Sequence, residues 1–322
     1  MVPVVASLAA IPAHAEWRME VLDGEWYLAG FENSYDLSGI AAANDTQCLV
    51  GSDESFYVQP GVIEAGKRRI ESRRPLALPL QSPGGAREID VEGVAFSATD
   101  QAYYVVGSHG VGTKKGDFQP DRHAVYRILV DPVSGVVKKE GILRSSLLPW
   151  LEKTPLVAPH VGVPLQKNGL NIEGLTCTDG VLYFGLRSPN LDGQGLILEI
   201  RADDLFGKPP GKLKVHKIAL PAGSGIREIA AVRDGFLLVV GNASAPASKK
   251  IAVSLAKDPD VRFELMFWGG EETSPARIGE LPRNGGKAEG LLVRDDAEHH
   301  IDLLVVFDGI PGGEPLSLRV HR

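Results

Sequence analysis

Cysteine is nearly absent from the 322 residues: only Cys48 and Cys177 occur, too few for a disulfide framework or a cysteine zinc site, with one bridge left arithmetically open. An excess of basic charge is missing too. Thirty-four Lys and Arg against 41 Asp and Glu leave a net charge of −7, the wrong sign for the footprint that phosphate backbones require, so no nucleic-acid partner is expected. The longest apolar stretch near either end, Val2 to Ala13, is shorter than the roughly 20 residues of a membrane-spanning helix and is interrupted by Pro3 and Pro12, so no transmembrane anchor is expected. Also lacking are a Walker loop, a dinucleotide fingerprint, a His-Glu-x-x-His helix and a Gly-x-Ser-x-Gly elbow. What is present is 43% hydrophobic content, enough for a sizeable core, and 37 Gly with 22 Pro dispersed along the chain, the composition of many short strands joined by turns.

The N-terminal stretch closes with Ala13-His14-Ala15 before Glu16, the small-x-small pattern that signal peptidase favours, while the positively charged segment of a signal peptide is missing. The expectation is that residues 1–15 are the remnant of a signal peptide whose true start lies upstream, and that a mature chain of residues 16–322 works in the periplasm or outside the cell. An apolar N-terminus on a cytoplasmic protein is the alternative.

An internal repeat organises the rest. Five segments align without gaps: Asp36-Leu37-Ser38-Gly39-Ile40-Ala41, Asp90-Val91-Glu92-Gly93-Val94-Ala95, Asn171-Ile172-Glu173-Gly174-Leu175-Thr176, Gly225-Ile226-Arg227-Glu228-Ile229-Ala230 and Lys287-Ala288-Glu289-Gly290-Leu291-Leu292. Each is followed by a turn and a β-rich run, at Cys48 to Gly51, Tyr103 to Gly107, Val181 to Gly185, Phe236 to Gly241 and Ile301 to Phe307. Further strand-like runs, such as Ala124 to Val130 with Val136 to Leu143 and Leu196 to Ile200 with Lys212 to Leu220, bring each repeat to about four strands, the content of one propeller blade.

The polar positions are spaced by 54, 81, 54 and 62 residues, and an apolar helical or loop insertion at 145–169 accounts for the long interval. Glu16 to Ser38 and Glu289 to the C-terminus together span 55 residues, one period, so a strand at Trp17 to Leu22 would complete the last blade and leave no open edge. The fold expected is therefore all-β, a single propeller of five blades closed by the N-terminal strand. A six-bladed ring with a degenerate blade in the long interval is the competitor.

Identical positions of different blades form a ring around the axis, here Ser38, Glu92, Glu173, Arg227 and Glu289. Crowded carboxylates raise one another's pKa unless a cation intervenes. The ring is thus either a metal site, with Glu92, Glu173 and Glu289 as hard oxygen ligands for Ca²⁺ or another divalent cation, or a carboxylate and Arg network that serves as scaffold. The second strands return to the same end as the ring and carry Asp53, His109, Arg187, Asn242 and Asp308 there, which favours a pocket. Lys167 and Asn168, at the end of the insertion, overhang Glu173. Two buried free thiols are expected, because strands of non-adjacent blades hold Cys48 and Cys177 too far apart to bridge.

Taken together, Asp90-Val91-Glu92-Gly93-Val94-Ala95, Gly107-Ser108-His109, Lys167-Asn168-Gly169-Leu170-Asn171-Ile172-Glu173-Gly174-Leu175, Gly185-Leu186-Arg187-Ser188-Pro189 with Leu191-Asp192-Gly193, Gly225-Ile226-Arg227-Glu228-Ile229-Ala230 and Lys287-Ala288-Glu289-Gly290-Leu291 resemble the bacterial family known as domain of unknown function 3616, from about Ser34 onward. That family implies no established activity. More distantly, Glu-Gly followed by an apolar run is similar to the strand opening of phytase-like esterases and calcium-dependent lactonases of the propeller class. In the lactonases that Glu is a metal ligand, a role that would pass to Glu92, Glu173 or Glu289, while Ser38 and Arg227 depart from the pattern.

The function expected is an exported, monomeric propeller that hydrolyses an ester, lactone or phosphoester with metal assistance. Its catalytic set is Glu92, Glu173, Arg227 and His109; Arg187, Lys167, Asn171, Lys287 and Asp192 bind a small anionic or ester ligand. The alternative is a non-catalytic module that binds a ligand or another protein of the cell envelope.

Overall fold

The computed structural model describes residues 17–81, 88–207, 211–253, 262–282 and 284–322. The expected signal segment, 1–15, and its cleavage point after Ala15 lie outside the described residues.

Five antiparallel sheets follow one another along the chain. Blade 1 runs from its inner strand Leu37–Ala42 through Gln47–Ser52 and Tyr57–Glu64 to Arg69–Ser72, with Tyr27–Ala29 added in parallel outside and Leu76–Ala77 paired to the third strand. Blade 2 holds Val91–Ser97, Ala102–Gly107, Val125–Leu129 and Leu143–Ser145, and blade 3 holds Asn171–Thr178, Val181–Ser188, Gln194–Arg201 and Lys214–Ala219. Blade 4 holds Ser224–Val232, Gly235–Asn242, Glu264–Trp268 and Ala276–Glu280. Blade 5 takes Lys287–Asp296, His300–Asp308 and Leu316–His321 from the C-terminal end, and its outermost strand, Arg18–Val21, from the N-terminal end. Arg18 pairs with His321 and Val21 with Leu318, so the expected closure is present and the last sheet gains its fourth strand.

The inner strands meet in ring order, blade 5 against blade 1. Each seam between neighbouring blades carries its own hydrophobic cluster. Val58 with Tyr126 marks the seam of blades 1 and 2, and Tyr104 with Phe184 that of blades 2 and 3. Ile197 with Trp268 marks blades 3 and 4, Leu265 with Leu303 blades 4 and 5, and Ile40 with Leu304 blades 5 and 1. Five clusters at five seams settle the blade count against a six-bladed ring. Strands covered on both faces read as continuous apolar runs, which is why Ala102–Gly107 is buried at every position.

The insertion after blade 2 is helical in part, with a short α-helix at Leu148–Leu151 and 3₁₀ turns at Ala158–His160 and Leu165–Lys167. Leu147, Leu151 and Val157 join the cluster between blades 2 and 3, so its apolar content extends a seam. One strand differs from expectation: Val136 to Leu143 does not form the fourth strand of blade 2, which is the three-residue Leu143–Ser145. Residues 131–135 turn sharply, with Asp131 Oδ1 accepting from the backbone of Val133 and Ser134, and only an isolated bridge joins Val130 to Val137. Cys48 and Cys177 are buried free thiols, as expected.

Candidate functional site

All five inner strands break register at the same place. The shifts fall between Leu37 and Gly39, Val91 and Gly93, Ile172 and Gly174, Ile226 and Glu228, and Ala288 and Gly290. The skipped residue is in each case the repeated polar one: Ser38, Glu92, Glu173, Arg227 or Glu289. A β-bulge leaves one residue unpaired and re-aims its side chain. Glycine follows the bulge in four blades because the next inner strand passes there: a Cβ on Gly93 would lie 2.7 Å from Leu175 Cβ, and one on Gly174 would lie 2.9 Å from the backbone nitrogen of Ile229. Blade 4 carries Glu228 instead. Its buried carboxyl accepts from the backbone of Ile229 at 2.8 Å and of Leu175 at 3.2 Å, and burial raises its pKa well above the usual range.

Three ring members neutralise one another. Arg227, 2% exposed, donates through Nη2 to Glu289 Oε1 and holds Nε 2.8 Å from Glu173 Oε2, an ion-pair contact without hydrogen-bond alignment. Arg187 Nη1 donates to Glu173 Oε1 at 2.7 Å, and its Nη2 donates to the Ser244 carbonyl, also at 2.7 Å. Burial, then the neighbouring Arg187, lowers the Arg227 pKa to about 10, which leaves it charged at neutral pH. Ser38 spends its hydroxyl on the Val91 carbonyl of the next blade.

Glu92 differs. It is 8% exposed, lines a cavity of about 780 Å³ at the channel mouth, and has no hydrogen bond or ion pair among the described residues. Burial, then Glu173, Asp90 and Asp53, raises its pKa well above the carboxylate range, so it favours the protonated form. Asp53, on the same wall, is pushed up to about 8 by burial and by Asp90, Asp308 and Asp36. Asp90 rises to about 6 under burial, opposed by Arg122, whose Nη1 lies 2.8 Å from Asp90 Oδ2.

Of the residues expected at the site, Glu92, Asn171, Arg187, Arg227 and Lys287 line this cavity, and Glu173 and Glu289 lie directly behind it on Arg227. Three stand apart. His109 is fully buried, with Nδ1 on the Gly107 carbonyl at 2.9 Å and Nε2 accepting from the Leu147 backbone at 3.2 Å, so both ring nitrogens anchor the insertion to blade 2. Burial and the adjacent His123 lower its pKa to about 3, which keeps it neutral. Asp192, exposed and left-handed at φ 55°, sits in the turn between the second and third strands of blade 3. Lys167 is exposed on its 3₁₀ turn and does not line the cavity; its neighbour Asn168 accepts from the Asn190 backbone at 2.9 Å instead.

A divalent cation on Glu92, Glu173 and Glu289 does not fit this arrangement. The guanidinium of Arg227 takes two of the three carboxylates, and among the described residues the three do not converge on one point. The carboxylates that do gather near the mouth are Asp36, Asp53 and Asp308, and Lys287 pairs with the last of these. A second ring lies beside the first. Two residues upstream of the bulge the aligned segments carry Asp36, Asp90, Asn171, Gly225 and Lys287, a column as regular as the first, and Asp90, Asn171 and Lys287 line the cavity.

A family model described as protein of unknown function (DUF3616) matches residues 36–130 and 136–314. The chain belongs to the DUF3616 family. No curated protein matches the sequence of this DUF3616 chain. Among solved structures it is similar to a GH43 β-1,3-galactosidase with galactodeoxynojirimycin, at 10% identity and a TM-score of 0.51, covering 94% of each chain. A GH43 endo-arabinanase from Bacillus licheniformis aligns at 14% identity and a TM-score of 0.42, covering 92% of this chain and 96% of that one. The major allergen Mala s 1 of Malassezia sympodialis aligns at 12% and 0.43, covering 92% and 82%. At such identities the galactosidase likeness speaks for the fold alone.

Proposed function

We propose that the channel mouth is a hydrolytic site for an ester, lactone or phosphoester, with Glu92 as its proton-transferring carboxyl and Arg187 as the group that grips a substrate oxygen. The observation that carries this reading is the difference between Glu92 and its sister residues: it alone among the ring carboxyls faces the cavity without a guanidinium, in surroundings that favour its proton. A general acid works best when its pKa is lifted toward the working pH. In ester cleavage, the oxygen of water bonds to the acyl carbon, the C–O bond to the alcohol breaks, and Glu92 gives its proton to the departing oxygen and regains one from the water. Arg187, partly exposed to the cavity, orients the acyl oxygen by charge-assisted hydrogen bonds. No step runs through a metal.

The test is turnover of chromogenic esters, lactones and phosphoesters by the parent and by Glu92→Gln. The reading expects activity in the parent and a loss of about 10²–10⁴-fold in the variant; equal rates would end it. A non-catalytic binding module is the second reading, favoured by the pairing of Glu173, Arg227 and Glu289 into a scaffold. Binding without turnover would decide for it. Export belongs to the same proposal, and N-terminal sequencing of the secreted product should find Glu16 first, whereas retention of Met1 in a cytoplasmic product would remove it. A monomer is proposed because the chain completes its own last blade.

A further inference from the structure

A second cavity, of about 580 Å³, opens where the two ends of the chain meet, and it shares no lining residue with the channel mouth. One wall is the segment from Glu25 to Leu28, which adds the parallel strand outside blade 1. The other is the loop from Pro311 to Leu316, which joins the second and third strands of blade 5. Its volume is that of a small-molecule site.

The lining divides by chemistry. Trp26, Leu28, Phe307 and Pro315 are buried and make it apolar, while Tyr27 lines it and is 56% exposed. Its polar groups are the exposed carboxylates of Glu25 and Glu314 and the amide of Asn284, and among the described residues no Lys, Arg or His lines it. The cations at neighbouring positions are engaged elsewhere. Arg69, beside Tyr27 in the parallel ladder, pairs with Glu71, and the Arg68 guanidinium fills the space a Cβ on Gly24 would need. Arg294 lies over Trp26, 4.4 Å from the ring centroid, and does not line the cavity.

Both carboxylates are held in place. Tyr27 Oη donates to Glu25 Oε2 at 2.5 Å, which fixes a negative charge beside an exposed aromatic ring, and aromatic faces attract organic cations. Glu314 is left-handed at φ 30° and ψ 67°, directly after Gly312 and Gly313 at φ 63° and 64°. A Cβ on Gly313 would lie 2.6 Å from Val306 Cγ1 and 3.0 Å from Leu37 Cδ1, so this loop is pinned to the seam of blades 5 and 1. A residue other than glycine stays in so sparsely populated a region only where its surroundings hold it, and such residues cluster at ligand sites. An anion would be repelled by both carboxylates, and a polyhydroxyl ligand would press polar groups against the buried apolar lining. An apolar body with a positive head suits both parts.

We propose that this cavity binds a small organic cation of the arylalkylammonium class, its head beside Tyr27 and Glu25 and its apolar body against Leu28, Phe307 and Pro315. The site goes beyond the hydrolytic reading and does not depend on it.

The parent protein would be melted at pH 7 with 20 mM 2-phenylethylammonium chloride, 2-phenylethanol or sodium phenylacetate at matched ionic strength. The expected result is a rise of at least about 2 °C with the ammonium and a smaller one or none with the alcohol and the carboxylate, because a ligand bound only by the native state stabilises it. In the Glu25→Gln, Glu314→Gln double variant, whose changes fall on exposed side chains, the ammonium should do no better than the alcohol; if that variant does not fold, Glu25→Gln alone gives the same comparison. No rise with the ammonium would overturn the proposal, as would an equal rise with the alcohol or a larger one with phenylacetate. A rise kept in full by the variant would place the cation elsewhere and overturn it too.

Discussion

The two halves of the ring share a backbone and differ in everything their side chains do. In blades 3, 4 and 5 the bulge residues are Glu173, Arg227 and Glu289, packed into a buried ion-pair chain. In blades 1 and 2 the same bulge offers Ser38, tied to the neighbouring backbone, and Glu92, tied to nothing among the described residues. The lesson is that a repeat fixes where a side chain is aimed but not whether it is used up. One cation at the fourth position ties two carboxylates into scaffold and leaves Glu92 outside any ion pair among the described residues.

The largest way to break the comparison is Arg227→Met, which keeps much of the side-chain volume, strands Glu289 and leaves Glu173 with Arg187 alone. Removing one partner of a buried pair costs about 3–5 kcal/mol, and denaturant unfolding should register it. A loss below about 1 kcal/mol would mean that the paired half is not scaffold. Next comes Gly93→Ala, whose new Cβ would meet Leu175 Cβ at 2.7 Å and Leu175 N at 3.0 Å across the seam of blades 2 and 3. Overpacking of that kind costs roughly 1–3 kcal/mol, again read by denaturant melts, whereas Gly66→Ala, with open space around its Cβ, should cost far less.

Much of this was legible in the sequence. The five aligned segments, the 54-residue period and the one-period sum of the two chain ends led to five blades closed by the N-terminal strand, because a strand's burial on both faces and its turns leave strong local signals. The site was half legible. Spacing put Glu92, Glu173, Arg227 and Glu289 in one ring, but a bulge is a hydrogen-bonding event with no residue signature of its own, and which carboxylate Arg227 would reach depends on the distance between blades. The role of His109 was illegible for the same reason: its use as a backbone anchor depends on Leu147, 38 residues away. The column Asp36, Asp90, Asn171, Gly225 and Lys287 is legible in the five aligned segments, two places upstream of the bulge.

A smaller effect sharpens the contrast through pH. Asp53 titrates near 8 in the fold and in the ordinary carboxylate range when unfolded, so the folded state holds a proton that the unfolded state has released between about pH 4 and pH 8. Stability from this group therefore falls as pH rises through that window. His109 and His123, lowered to about 3 and about 4, act in the opposite sense, and their contribution is lost as pH falls below about 6.5. Between pH 6.5 and 8 the slope comes from the raised carboxyls, Asp53 together with Glu92 and Glu228. Asp53→Asn should flatten it by up to about 1.4 kcal/mol per pH unit, and an unchanged slope in pH-dependent melts would show that Asp53 is not held protonated. The smallest effect is expected of Ser38→Ala, which removes one buried hydrogen bond to the Val91 carbonyl and should cost about 1 kcal/mol with no change in ligand binding.

The most direct test sets two isosteric changes at equivalent bulges side by side: Glu92→Gln and Glu173→Gln, each unfolded in denaturant at pH 7.5. Glu173 accepts from Arg187 and faces Arg227, while Glu92 has no partner among the described residues and favours its proton. The account predicts that Glu173→Gln loses about 3–5 kcal/mol and that Glu92→Gln is as stable as the parent or more so. Equal losses in the two variants, or a larger loss in Glu92→Gln, would contradict the division of the ring into a paired scaffold and an open site.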